Sequence, residues 1–340
     1  MEKKENYFLN CLKGIACIGV VFIHVAFPGL FGKYIYTIAS AGVPLFFLIS
    51  GYYAMNQEKN MVRIFNKIKH IGKMSLIVSM IYIIWKFIKV FIQDTGMENF
   101  IQDFSLKSWI KLIVFNDTIF MNCGHVWFLY ALLYCYLLLC ILVFFKKENY
   151  IYPFIIISFI GRITIMTLCK NWHYSENFWL DGFPYFFAGM YFRKNQNMIY
   201  KIPNKVLVFI MLIAMLLSQM ENIVNIRIKI FEIGTILFAV TVFIFSQKHP
   251  VAGKSSIIGF IGKYLSMYVY IIHVIIFELI DILESKIFMK LPLWYEWMEP
   301  IIVAVLAVGA SYCIYLCKRK IEKLSWQSKV DNRENIQRLN

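Results

Sequence analysis

Windows of about twenty apolar residues recur along almost the whole chain, and no other feature constrains its fold as tightly. They fall at roughly 8–28, 37–56, 74–93, 126–145, 150–168, 178–193, 205–220, 229–246, 264–283 and 297–317. A hydrocarbon layer about 30 Å thick needs ~20 helical residues to cross it, and in lipid the backbone polar groups must be satisfied within the segment itself. Composition agrees: 60% of residues are hydrophobic, 18% are aromatic and mean hydropathy is +0.62. A water-soluble domain sits nearer about 45–50% apolar. The expected fold is all-α, a polytopic integral membrane protein of about ten transmembrane helices.

The charge, +15 from 35 Lys and Arg against 20 Asp and Glu, would suggest a nucleic-acid partner in a soluble chain. Here its distribution gives another meaning. Lys59, Arg63, Lys67, Lys69 and Lys73 follow the second window; Lys146 and Lys147 follow the fourth. Arg193, Lys194, Lys201 and Lys205 follow the sixth, and Lys248, Lys254 and Lys263 the eighth. The tail is basic from Lys318 onward. Alternate connections therefore collect most of the cations, and the positive-inside rule places them, with both termini, in the cytoplasm. No nucleic acid is expected; the first partner is the lipid bilayer, and the oligomeric state stays open. Residues 1–318 read as one membrane domain and 319–340 as a charged cytoplasmic tail, frayed after Ser325. The first span reads as an uncleaved anchor. The longest connection, about 93–124, lies outside and holds an amphipathic piece at Leu106–Phe115, with Trp109 suited to the interface. Of the eight cysteines, Cys123 and Cys169 fall outside the membrane and would be the pair able to cross-link; no metal-ligand spacing is present, so no metal site is expected.

Ionisable groups inside a span are costly and mark functional positions. Lys13 and His24 lie eleven positions apart in the first window. At ~100° and ~1.5 Å per residue they share one helix stripe, about 16 Å apart. A neutral imidazole there can accept a hydroxyl proton during acyl transfer, or it can simply join helices through hydrogen bonds. Lys13 has two readings of equal standing: a snorkelling lysine near the cytoplasmic end, or a cation holding an anionic substrate. Ser266, Tyr270 and His273 share one face of the ninth span. His125 stands at the outer start of the fourth, Arg162 lies inside the fifth with no adjacent acid, and Ser50 precedes Gly51 in the second. Glu278 and Asp281 read as boundary residues, and Pro184 as a kink.

These segments, in this order, resemble acyltransferase family three of integral membrane proteins. The resemblance rests on Lys13 and His24 with ten residues between them, and on Val43-Pro-Leu-Phe-Phe-Leu-Ile-Ser-Gly51. His125-Val-Trp-Phe-Leu129, Phe183-Pro-Tyr-Phe-Phe-Ala-Gly189 and Ser266-Met-Tyr-Val-Tyr-Ile-Ile-His273 complete it. It covers about residues 8–318. It implies O-acyl transfer, often of acetyl, from a cytoplasmic acyl-CoA co-substrate to a hydroxyl of a cell-envelope glycan or lipid-linked glycan, in a bacterial-type inner membrane. No cofactor would be bound. By the same resemblance His24 is the catalytic base, while Lys13, Lys67 and His70 contact the donor. Ser50, His125, Arg162, Ser266, Tyr270 and His273 are the further cavity-lining candidates. Many members carry Arg and Asp where this chain has Lys13 and Asn10, so the planar fork of Arg and one carboxylate are missing. The hydrolase-like extracytoplasmic domain of some members is not expected. The competing expectation is a transporter that moves an amino acid, sugar or lipid-linked glycan through the same polar pocket without chemistry.

Overall fold

The computed structural model describes residues 5–55, 61–94, 96–169, 176–224, 233–287 and 292–339. Among them every regular element is helical. Lys59, and the side chains of Cys169 and of the tail beyond Lys323, lie outside the described residues. In chain order the helices are α1 Tyr7–His24, α2 Gly29–Ala39, α3 Gly42–Met55, α4 Met61–Gln93, α5 Met97–Asp103, α6 Leu106–Phe115, α7 Trp127–Phe144 and α8 Tyr152–Cys169. They continue as α9 Phe183–Lys194, α10 Gln196–Lys201, α11 Asn204–Val224, α12 Ile233–Lys248, α13 Ile257–Phe260, α14 Ser266–Ile287 and α15 Leu293–Leu339. Seven described stretches are long and apolar enough to cross a bilayer, and α12 is a shorter apolar helix. Together they define a polytopic membrane architecture.

Several local features differ from the sequence expectation for identifiable reasons. The basic residues after the second window are not a loop; Arg63, Lys67, Lys69 and Lys73 lie on the first turns of α4. Ile64 and Ile71 are buried between them, which gives those turns an apolar stripe and a charged one. The second window divides at Ser40–Ala41, where the Ser40 hydroxyl donates to the Thr37 carbonyl at 2.7 Å. Pro184 stands in the first turn of α9, directly after the π-helical turn Phe178–Gly182, in which the Phe183 N–H donates to the Phe178 carbonyl. The expected amphipathic piece is α6, capped by the Ser105 side chain and closed by Asn116 in the left-handed region, φ 49°. Cys123 is buried and donates weakly to the Thr118 carbonyl. The last helix runs on through the charged tail rather than ending near Ser325.

α1 is the hub. It packs against α2, α3, α12, α14 and α15, and against the π-helical turn Ile261–Leu265 that opens α14. The approach is close enough that a Cβ on Gly262 would strike the Asn10 carbonyl. α3 meets α9 in the same way, since a Cβ on Gly51 would fall on the Phe186 carbonyl. Small residues at such crossings let helices gain dispersion contact where lipid supplies no hydrophobic drive.

Candidate functional site

α1 ends at His24, and its last turn meets two other histidines that are distant in the chain. His125 arrives on the short 3-10 turn Gly124–Val126 ahead of α7, and His273 on the second turn of α14. The ring centroids of His24 and His273 are 5.1 Å apart, those of His125 and His273 5.1 Å, and those of His24 and His125 5.8 Å. His273 is fully buried and His125 nearly so. His24 is exposed, so of the three rings it stands at the open edge of the cluster.

Two tyrosines frame the imidazoles. The Tyr82 ring is 4.9 Å from His125, and its hydroxyl donates to the Ile271 carbonyl at 2.6 Å. The Tyr270 ring is 5.4 Å from His125, and its hydroxyl donates to the His125 carbonyl. Both phenols thus direct their protons to backbone. The His273 Nδ1 lies 3.0 Å from the Val269 carbonyl. The Nε2 atoms of His125 and His273 are buried without a hydrogen-bond partner. Buried polar atoms are nearly always paired, so two unpaired imidazole nitrogens in neighbouring rings set this cluster apart.

The other predicted residues are placed as follows. Tyr270 and His273 join His24 and His125. Ser266 sits about two turns lower on α14, its hydroxyl on the Gly262 carbonyl and its own carbonyl near the Cys17 thiol. Ser50 is half-buried beside the α3–α9 crossing. Arg162 meets its acid in space: Asp181, from the π-helical turn Phe178–Gly182, lies 2.9 Å away and both are buried. Around that turn Asn116 accepts from the Phe178 N–H at 2.8 Å, and Asn177 caps Trp179 and Leu180.

At the opposite end of α1, Lys67 is the charge that bears on Lys13; with Lys73 and Lys318 it also bears on His70. Lys318 also lines a cleft of about 490 Å³ with Lys263, Tyr264, Tyr268, Tyr315 and Arg319. Asn10, the departure from the family's Asp, donates to Glu5 at 2.8 Å, and Glu5 pairs with Lys263 at 2.8 Å. That hydrogen bond from Lys263 holds the Glu5 carboxyl below its ordinary range. A carboxylate is therefore present beside Asn10, supplied from five residues earlier.

Sequence reasoning missed Tyr82, Lys318 and the role of Glu278. Tyr82 lies in an apolar run whose pattern does not single it out. Glu278, expected at a boundary, accepts from Trp85 at 2.5 Å, Lys89 at 2.7 Å and Asn122 at 2.9 Å. Asp281 gathers with Glu284 and Glu299, their carboxylate oxygens all within 4.8 Å of one another.

In this polytopic helical fold three imidazoles meet at one end of α1 and cations gather at the other. The model of the family described as an acyltransferase domain, Acyl_transf_3, matches residues 6–316, and the chain belongs to that family of membrane acyltransferases. Comparison with curated proteins and with solved structures gives no match.

Proposed function

We propose that the protein transfers an acyl group, acetyl in the simplest case, from acyl-CoA to a hydroxyl of a cell-envelope glycan or lipid-linked glycan. Its setting is a bacterial-type inner membrane with both termini in the cytoplasm. The observation that carries this reading is the convergence of His24 with His125 and His273 around two unpartnered nitrogens. The cationic end of α1, Lys13 with Lys67, His70 and Lys318, suits the phosphates of the donor. About 16 Å of helix then separates the cation at Lys13 from the imidazole at His24, a gap that an extended pantetheine arm covers.

In this mechanism His24 accepts the proton of the acceptor hydroxyl as its oxygen attacks the thioester carbonyl. The C–S bond breaks as the tetrahedral intermediate collapses, and the thiolate leaves with the proton that His24 returns. A positioned base of this kind contributes about 10²–10⁴-fold to rate. The decisive experiment follows acetyl-CoA consumption by the protein in nanodiscs, with glycan acceptors supplied. Loss of consumption in His24→Ala at unchanged melting temperature supports the proposal. Unchanged consumption refutes the role of His24, and glycan uptake into sealed vesicles without donor consumption replaces transfer by transport.

A further inference from the structure

His273 stands where the hydrogen-bond chemistry leaves one answer about its protons. The Val269 carbonyl can only accept, so the His273 Nδ1 at 3.0 Å must carry hydrogen. In the neutral ring, Nε2 is then a bare lone pair. That Nε2 is buried and unpartnered, on a side chain with no accessible surface. The neighbouring phenols cannot serve it, because Tyr82 and Tyr270 already donate to the carbonyls of Ile271 and His125. The His24 ring, 5.1 Å away at the last residue of α1, is the accessible one of the three.

We propose that His273 is a positioning residue that sets the tautomer of His24. A modest turn of the His24 ring lets its inward nitrogen donate N–H to the His273 Nε2. The outward nitrogen of His24, on the exposed side of the ring, is thereby kept bare as the base. When that nitrogen takes the acceptor's proton, the same N–H···N bond steadies the imidazolium. A neutral imidazole anchored on a backbone carbonyl does here what a carboxylate does for the histidine of a hydrolytic triad, where the wrong tautomer costs about 10⁴ in rate. His273 itself is too enclosed to meet a glycan. The inference rests on the acyl-transfer reading for its kinetic consequence and on the hydrogen bonds alone for the tautomer.

Two substitutions separate the halves of the ring. His273→Asn keeps a donor near the Nδ1 position, toward Val269, and removes the acceptor at the Nε2 position. His273→Gln reaches the Nε2 position with an amide oxygen that can accept. With acetyl-CoA as donor, His273→Asn is expected to lower kcat about 100-fold with the donor KM within about twofold. His273→Gln is expected to stay within about tenfold of wild type. Equal losses in both, or no loss in His273→Asn, overturn the proposal. Solid-state NMR of ¹⁵N-histidine-labelled wild-type protein in nanodiscs gives a readout free of turnover and of variant folding. The expected spectrum shows His273 protonated on Nδ1 and a single neutral tautomer for His24; protonation of His273 on Nε2, or mixed His24 tautomers, overturns it. If His24→Ala consumes acetyl-CoA normally, the role of His24 as base fails by itself, and the tautomer measurement still judges His273.

Discussion

Five residues of α14 separate two opposite treatments of a polar side chain. At Glu278, Trp85, Lys89 and Asn122 surround one carboxylate with donors. At His273 one nitrogen is tied to backbone and the other is buried without a hydrogen-bond partner, in a ring 5.1 Å from two more imidazoles. The Arg162–Asp181 pair resembles the first case, being buried and matched in charge. Saturated polar groups hold helices together; in a low-dielectric interior such networks are rigid, and an unmatched atom is costly. Position within a span therefore does not distinguish the two treatments, whereas the hydrogen bonds do.

The sharpest way to break that comparison is His24→Ala. Turnover of acetyl-CoA should fall about 10³-fold while the melting temperature barely moves, because His24 is exposed at the end of α1. A large loss of stability would put the imidazole pocket with the structural clusters. Next comes Asp181→Ala, which strands a buried guanidinium. Chemical denaturation in detergent should report a loss of about 3–5 kcal/mol, and Arg162→Met with Asp181→Leu should recover most of it. If the single variant unfolds like wild type, the pair is not holding α8 to the turn before α9. Glu278→Gln keeps the shape but removes the charge. It should cost about 1–3 kcal/mol and leave acetyl-CoA turnover close to wild type; a loss of turnover at unchanged stability would extend the active pocket up α14. The smallest effect is expected for Lys67→Ala, a rise of about threefold to tenfold in the donor KM with kcat held. That rise should shrink as salt is added, since the side chain is exposed. A KM indifferent to both salt and substitution would remove Lys67 from the donor path.

Much of the architecture was legible in particular residues. The Lys13–His24 spacing marked α1, and α6 follows the amphipathic piece from Leu106 to Phe115 residue for residue. The basic run after the second window was legible as charge but not as helix, because the apolar contacts of Ile64 and Ile71 decide that. Arg162 had no local acid, and its partner came from the turn before α9, nineteen positions on. Asn10 read as a lost carboxylate, whereas Glu5 restores one through space. Partners far apart in the chain, or met around a turn, leave no periodic trace.

The sequence by itself determined that this chain is a bundle of helices for a bilayer and that its first helix carries a cation and an imidazole on one stripe. Those properties are local: apolar length and helical pitch act within about twenty residues. Only the tertiary structure decided that the ring centroids of three histidines, from α1, the turn before α7 and α14, lie within 5.8 Å of one another, and which carbonyl the His273 Nδ1 meets. Such facts depend on how helices cross and which carbonyl a ring meets, and packing sets both.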